Sequence, residues 1–379
     1  MSTGRRRARA LASLALPFAL VVALAAGCGT GSAGSDAAFK FSGLWRSFAS
    51  SGSASNGLVT ISAAGDVNFG DGVTPTLTAN GLDYPFSGVS AAFENTDLSF
   101  VNLECCISST GSPVAGKEFT FEGPADSAGA LGMGSIKVVS LANNHSKDYG
   151  TAAFLETLGH LQQNGIAWCG AGKNSAEAYS PAVLDAHGTK VAFVAFTWVI
   201  PDGWPATATS PGCATTTDRN RVAQTIEDAK AKAAYVVASF HWGIELATSP
   251  NEEQRSLAHL AVDSGADLVL GHHPHVVQGL ELYKNRLIAY SLGNFVFSPP
   301  REASAKSVMV LTLLGPGGLV EAKVVPAVIS GCRPVILNGQ AADAWAATIA
   351  GYSKSLGTTM TVTGGRGYVS GGAPVGAKQ

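Results

Sequence analysis

Short apolar runs recur along the chain, and many of them stop at a glycine, a carboxylate or an imidazole. Leu58-Val59-Thr60-Ile61-Ser62-Ala63-Ala64 opens into Gly65-Asp66-Val67-Asn68. The run at 98–103 opens into Glu104, the run at 136–140 into Leu141-Ala142-Asn143-Asn144-His145, and the run at 235–240 into His241-Trp242-Gly243. Asp267-Leu268-Val269-Leu270 ends in Gly271-His272-His273-Pro274-His275. Runs of this length, rich in β-branched and aromatic residues and closed by turn formers, predict buried strands, with a further one at 191–196.

Helical spacing fills the gaps between them. Phe154, Leu155, Leu158 and Leu161 predict a helix over 151–164, stopped by Gly165, and a second helix is expected over 218–233. Ser249-Pro250-Asn251-Glu252 reads as an N-cap serine, a proline at the first helical position and a glutamate at the third, opening a helix to about Ser264. Strand alternating with helix predicts an α/β architecture with helices outside. The apolar runs at 308–314 and 319–325 read as strands finishing a second sheet, and the Gly-rich residues from about Thr361 carry no assignment.

Composition changes this picture mainly at the N-terminus. At 379 residues, with 46% hydrophobic and 14% charged content, the chain can bury one large core or two ordinary ones. Arg5, Arg6, Arg7 and Arg9 precede an apolar run at 11–24 that is short for a membrane span, the pattern of a secretory signal over 1–27. Its end, Ala25-Ala26-Gly27-Cys28, resembles a bacterial lipobox, so Cys28 is expected to be lipidated and the protein held outside the cytoplasm on the cell membrane. Residues 28–57, dominated by Gly, Ser and Ala, read as a flexible tether. Loss of 1–27 takes Lys and Arg from 25 to 21 against 27 acids, a formal charge of −6, which argues against a nucleic-acid partner. Cys105, Cys106, Cys169, Cys213 and Cys332 remain; no C-x-x-C spacing occurs, which argues against a thiolate zinc site.

Asp66, Glu104, Asn144, His241, His273 and His275 all fall at or just beyond predicted strand ends, where open α/β sheets place ligands. Singly, His241 would be a rim or core histidine and Asn143-Asn144 a turn. Together they are the mixed oxygen and imidazole set that two divalent metal ions require, with Mn, Fe, Zn or Mg all compatible. An extended backbone across Pro274 would aim His273 and His275 to the same side.

These blocks, with Val101-Asn102-Leu103-Glu104, Asp148-Tyr149-Gly150, Glu245, Gln278, Glu281 and Tyr290-Ser291-Leu292-Gly293-Asn294-Phe295, resemble the CapA family of bacterial poly-γ-glutamate capsule synthesis proteins, within the calcineurin-like metallophosphoesterase superfamily. The resemblance runs over roughly 59–337. It implies a four-layer α-β-β-α sandwich over 58–340, followed by a C-terminal helix and Gly-rich tail over 341–379. It implies Asp66 on the first metal, Glu104 in place of a bridging aspartate, and Asn144, His241, His273 and His275 as further ligands. His145 would be the acid or base beside the metals, oriented by Asp148. Asn68 stands where phosphoesterases have a histidine, and Cys105-Cys106 replaces small residues; the thiols are read as packing. Asn68, Lys117, Trp242 and Arg333 are the candidate substrate contacts.

The function so implied is a membrane-anchored, metal-dependent hydrolase or transferase acting on poly-γ-glutamate or a related cell-envelope polymer. The alternatives are a non-catalytic polymer-binding subunit of a capsule synthase and a metal-assisted peptide epimerase. Expected partners are an anionic polymer or peptide, membrane capsule-synthase subunits, and the membrane through the lipid.

Overall fold

The computed structural model describes residues 57–299 and 301–372. The expected signal, Cys28 and the expected tether up to residue 56 lie outside the described residues.

The first apolar run becomes β1 (Val59–Val67), longer than the run itself because Gly65 lets a neighbour approach: a Cβ there would lie 1.7 Å from the Gly293 carbonyl oxygen. β2 (Leu98–Leu103), β3 (Val138–Ser140) and β4 (Ala167–Cys169) extend from it in parallel. α1 (Gly150–Gln163) makes the crossover from β3 to β4 and buries Phe154, Leu158 and Leu161. Leu155, a quarter-turn away from that stripe, stays exposed.

A second sheet contains β5 (Ala182–Ala186), β6 (Thr189–Thr197), β7 (Tyr235–His241), β8 (Leu268–His272), β9 (Leu280–Tyr283) and β10 (Arg286–Ala289), in the order β9-β10-β8-β7-β6-β5. β6, β7, β8 and β10 run parallel. α2 (Arg219–Lys230) and α3 (Glu252–Asp263) join them and bury Val222, Ile226, Leu257 and Ala261 against Val236, Ala238, Phe240 and Val269. The start of α3 differs from the sequence expectation. Asn251, not Ser249, is the N-cap: its side chain accepts from the Gln254 N–H while the Gln254 side chain returns to the Asn251 N–H. An asparagine followed three residues later by glutamine is itself a capping box, and it leaves Pro250 outside the helix.

The chain then returns to the first sheet through β11 (Asn294–Val296), β12 (Lys306–Gly315), β13 (Gly318–Ser330) and β14 (Arg333–Ile336). The runs at 308–314 and 319–325 therefore complete the first sheet and not the second. β1 is buried on both faces and needs a hydrogen-bonded neighbour at each edge; β12 supplies one, antiparallel from Val59↔Leu314 to Ala64↔Met309. α4 (Gly339–Ser355) follows. The tail is in part a hairpin, β15 (Thr361–Thr363) and β16 (Arg366–Ser370), turning on Gly364 and Gly365 at φ +57° and +72° and pairing β16 to β13.

The two sheets face each other. Ile61, Ala63, Phe100 and Val138 pack against Phe193, Val237, Leu268 and Leu270, with the Phe100 and Phe193 rings stacked at 5.8 Å. With α1 outside one sheet and α2 and α3 outside the other, the layers follow the helix-sheet-sheet-helix order that the resemblance implies. Trp345 and Ile349 of α4 and Val369 of β16 belong to the shared core, so the C-terminal segment is built into this body.

The cap assignment has a direct test. Asn251→Ala should lower stability by about 1 kcal/mol in chemical denaturation, and Ser249→Ala should leave it within about 0.5 kcal/mol. Equal losses would restore Ser249 as the cap.

Candidate metal centre

Strands that run parallel end together, so polar residues at their carboxyl ends are delivered to one edge. Asp66 lies one residue from the end of β1 and pairs in register with Asn102 of β2; Glu104 is the residue after β2. His241 and His272 close β7 and β8 as register partners. The carboxyl edges of both sheets meet here, as the contacts between Asp66 and His272 and between Glu104 and His241 require.

Two groups of candidate ligand atoms result, each within 4.8 Å: Asp66, Glu104 and His241 in one, Glu104, His273 and His275 in the other. Glu104 belongs to both. Its Oε1 is 3.7 Å from His241 Nε2 and 3.8 Å from His275 Nε2, and Asp66 Oδ2 is 3.6 Å from His275 Nδ1. Asn144 Oδ1 lies 2.8 Å from His241 Nε2.

The electrostatics favour cations at this position. Burial and the neighbouring Asp66 push the Glu104 carboxyl well above its usual range. Burial pushes Asp66 the same way, but hydrogen bonds and charge from His272, His275 and Asn102 outweigh it and hold Asp66 low. Burial and crowding by other imidazoles push His241 well below the ordinary histidine value and His273 down to about 3, leaving neutral rings with lone pairs to donate. Asp66 Oδ2, Glu104 Oε1, His241 Nδ1, His272 Nε2 and His273 Nδ1 are buried without a hydrogen-bond partner. Orphaned buried acceptors concentrated on one spot are costly unless something electropositive binds them. The residues therefore fit divalent ions, with oxygen and imidazole donors that suit Mn, Fe, Zn or Mg.

Beside these groups stands His145, its Nε2 4.0 Å from Glu104 Oε1. Asp148 Oδ2 is 2.6 Å from His145 Nδ1, and Phe121 stacks on the ring at 4.3 Å. Asp148 is held in turn by the Phe121 N–H at 2.7 Å and by the Lys117 ammonium. Lys117 Nζ also lies 3.1 Å from His145 Nδ1, but ammonium can only donate. The two groups therefore cannot both donate across that contact, and Nδ1–H pointing to Asp148 leaves the Nε2 lone pair facing the centre. Burial lowers the His145 pKa more than Asp148 raises it.

Residues 60–299 match the family described as Bacterial capsule synthesis protein PGA_cap. The chain is 32% identical to the PGA biosynthesis protein CapA of Bacillus subtilis over 282 residues, 74% of each protein. It is 31% identical to the capsule biosynthesis protein CapA of Bacillus anthracis over 277 residues, 72% of this chain and 67% of that one. The chain belongs to the PGA_cap family. Among solved structures it is similar to the NAD nucleotidase of Haemophilus influenzae, at 13% identity and a TM-score of 0.40 over 75% of this chain and 61% of that one. The PGA_cap match spans every group of the centre from Asp66 to Asn294 and ends before β12.

Several PGA_cap site residues lie differently from the sequence expectation. His273 and His275 do reach Glu104 together, but not from an extended segment: their φ angles are +94° and +57°. Two non-glycine residues in the left-handed region, flanking a proline, hold the loop in a strained form that aims both rings inward. Trp242 is a core residue and not a substrate contact. It is fully buried, stacked on Phe240 at 4.6 Å, and donates to the Tyr290 carbonyl at 2.9 Å. Asn68 is buried too, and its Oδ1 accepts the Gly70 N–H at 2.7 Å, closing the turn after β1. Lys117 is spent on Asp148 and the Asn144 carbonyl, so it braces the centre. Arg333 turns onto the Tyr84 ring and the Ser87 hydroxyl. Cys105, Cys106, Cys169, Cys213 and Cys332 are all unpaired thiols. Burial raises Cys105 far above its usual value and pushes Cys106 up to about 12, in keeping with packing.

Three contributors escaped the sequence pattern. His272 Nδ1 contacts Asp66 Oδ1 at 3.1 Å, Asn102 donates to the same oxygen at 2.9 Å, and Asn294 Oδ1 lies 2.8 Å from His275 Nδ1. Asn102 and Asn294 sit inside or at the start of strands, where polar side chains in apolar runs were the available signal. His272 was masked by two neighbouring histidines.

His273→Ala and His275→Ala should each lower the divalent metal retained after dialysis without shifting the thermal melt by more than about 4 °C. Full metal content in both variants would remove the loop from the centre. Trp242→Ala should instead cost about 3–5 kcal/mol in denaturant unfolding, the loss typical of a buried indole.

Proposed function

We propose that this PGA_cap protein is a metal-dependent hydrolase or transferase acting on amide or ester bonds of poly-γ-glutamate or a related cell-envelope polymer, held outside the membrane by lipid on Cys28. The observation that carries the chemistry is the sharing of Glu104 by two ligand groups with a free His145 Nε2 beside it. The relatives named for capsule and PGA biosynthesis support the polymer.

The chemistry supplied by divalent ions at such a centre is polarisation of a carbonyl or phosphoryl oxygen and activation of water. This chain's residues do the rest. Asp66, Glu104, His241, His273 and His275 set the geometry from rigid strand ends and a strained loop. His145 Nε2 moves a proton to or from the reacting group, and Asp148 keeps the imidazole in the required tautomer. Lys117 prevents Asp148 from swinging away. Phe121 covers the ring and excludes water from one face.

His145→Ala should retain the metal and lose about 10²–10⁴-fold in turnover on γ-glutamyl or phosphoester substrates. Loss of metal together with activity would make His145 a ligand instead, and unchanged turnover on a substrate that the wild type cleaves would remove it from the mechanism.

The anchor is tested separately. Cys28→Ser should shift the protein from the membrane fraction to the medium or stall its processing. Recovery of a soluble, unmodified Cys28 N-terminus from wild-type cells would refute lipidation.

A further inference from the structure

Most of the large apolar side chains exposed among the described residues stand on three loops beside the centre: Phe119 is 59% exposed, Trp198 41%, Ile244 61% and Leu246 39%. Single exposed apolar residues are ordinary; a group gathered at one edge is not. Backbone hydrogen bonds tie two of these loops to the centre, and side-chain contacts tie the third. The Trp198 N–H donates to the His241 carbonyl at 2.9 Å, and the Leu246 N–H to the Pro274 carbonyl, between His273 and His275, at 2.8 Å. Phe119 lies between Lys117 and Phe121, which both touch His145. The Trp204 ring, 5.1 Å from Lys117 Nζ, links the Trp198 loop to the Phe119 loop.

The charges near this rim do not suit a carboxylate. Glu245 acts on Glu104, and Asp71 feels His145 and Asp148, so both acids lie close to the centre. Lys117, the cation touching it, is already paired with Asp148.

We propose that Phe119, Trp198, Ile244 and Leu246 form a subsite for an uncharged apolar group, aliphatic or aromatic, bonded next to the reacting carbonyl or phosphoryl. This rests on the reading of the centre as a hydrolytic or transfer site and adds the side from which the substrate is gripped. In a γ-linked glutamate chain the corresponding group is the methylene pair beside each amide carbonyl, with the α-carboxylates turned outward to solvent.

Equilibrium binding tests this without catalysis. The full chain, loaded with manganese, would be titrated calorimetrically with methyl-, hexyl- and phenylphosphonate. The hexyl and phenyl compounds should bind at least about tenfold more tightly than methylphosphonate, the scale on which apolar pockets discriminate. Trp198→Ser with Ile244→Ser should reduce the preference to about twofold or less while metal content and thermal melt stay unchanged. Phe119→Ser, on a different loop, provides an independent variant if the pair is poorly folded. Equal affinities in the wild type, a preference that persists in the variants, or no binding of any phosphonate would overturn the subsite. A wild-type dimer that the substitutions convert to monomer would overturn it too, by assigning the rim to a second copy of the chain. The expected preference in the wild type and its loss in the variants, with no cleavage of γ-glutamyl or phosphoester substrates by the wild type, would sink the proposed function and leave the subsite standing.

Discussion

Two carboxyl groups, Asp66 and Glu104, are fully buried side by side where the edges of two sheets meet, and the rest of the site follows from that constraint. Withdrawing an ion from water costs several kcal/mol even after relaxation, and a second acid nearby adds repulsion. The chain compensates on one flank only: His272 and Asn102 bind Asp66 Oδ1, while Asp66 Oδ2 and Glu104 Oε1 are left to face each other's surroundings without a donor. Imidazoles pack around those two oxygens, and burial keeps His241 and His273 neutral. A neutral ring brings a lone pair and no charge. Unpartnered buried acceptors with neutral imidazoles around them fit a cation site better than an ion-pair network.

Rigidity at that point comes from the architecture. β1, β2, β7 and β8 are buried on both faces, so their ends cannot shift without disturbing the shared core. Gly65 and Gly271 are positions on these strands where the packing leaves no room for a side chain. A Cβ on Gly271 would lie 1.9 Å from the Tyr290 carbonyl oxygen, as one on Gly65 would approach Gly293. Each glycine immediately precedes a group that contacts its opposite across the sheets, Asp66 and His272. The 290–293 segment, packed against both glycines, thus ties the end of β8 to the end of β1. The His273-Pro274-His275 loop then departs from regular conformation at both histidines, next to a strand that is buried and paired along both edges.

The His145–Asp148 pair is built differently. His145 and Asp148 are near in sequence and lie on one loop, so their pairing needs little from the fold, whereas Lys117 and Phe121 arrive from another loop to lock Asp148 and cover the ring. The same second loop carries the exposed Phe119. A single excursion of the chain between β2 and β3 therefore braces the His145–Asp148 pair and carries the exposed Phe119.

By itself the sequence determined the strands that end at the centre and the crossover helices, and it singled out Asp66, Glu104, Asn144, His241, His273 and His275 as candidates that the structure brings together, because hydrophobic period and strand-end chemistry are local properties of the chain. The match to PGA_cap spans the same blocks. What only the tertiary structure decided depends on which strands become neighbours. The runs after residue 306 joined the first sheet because β1 had an unfilled edge, a fact about pairing that no run of apolar residues records. The Gly-rich tail became a hairpin because β13 offered it an edge. Trp242 and Asn68 looked available for substrate beside His241 and Asp66, but Trp242 directly follows His241 and so points to the opposite side, into the layer behind, while Asn68 lies past the end of β1 and its side chain closes the following turn. Lys117 was legible as a cation and not as a brace, since its partners lie 27 and 31 residues along the chain and meet it only when the loops fold over the sheet edge.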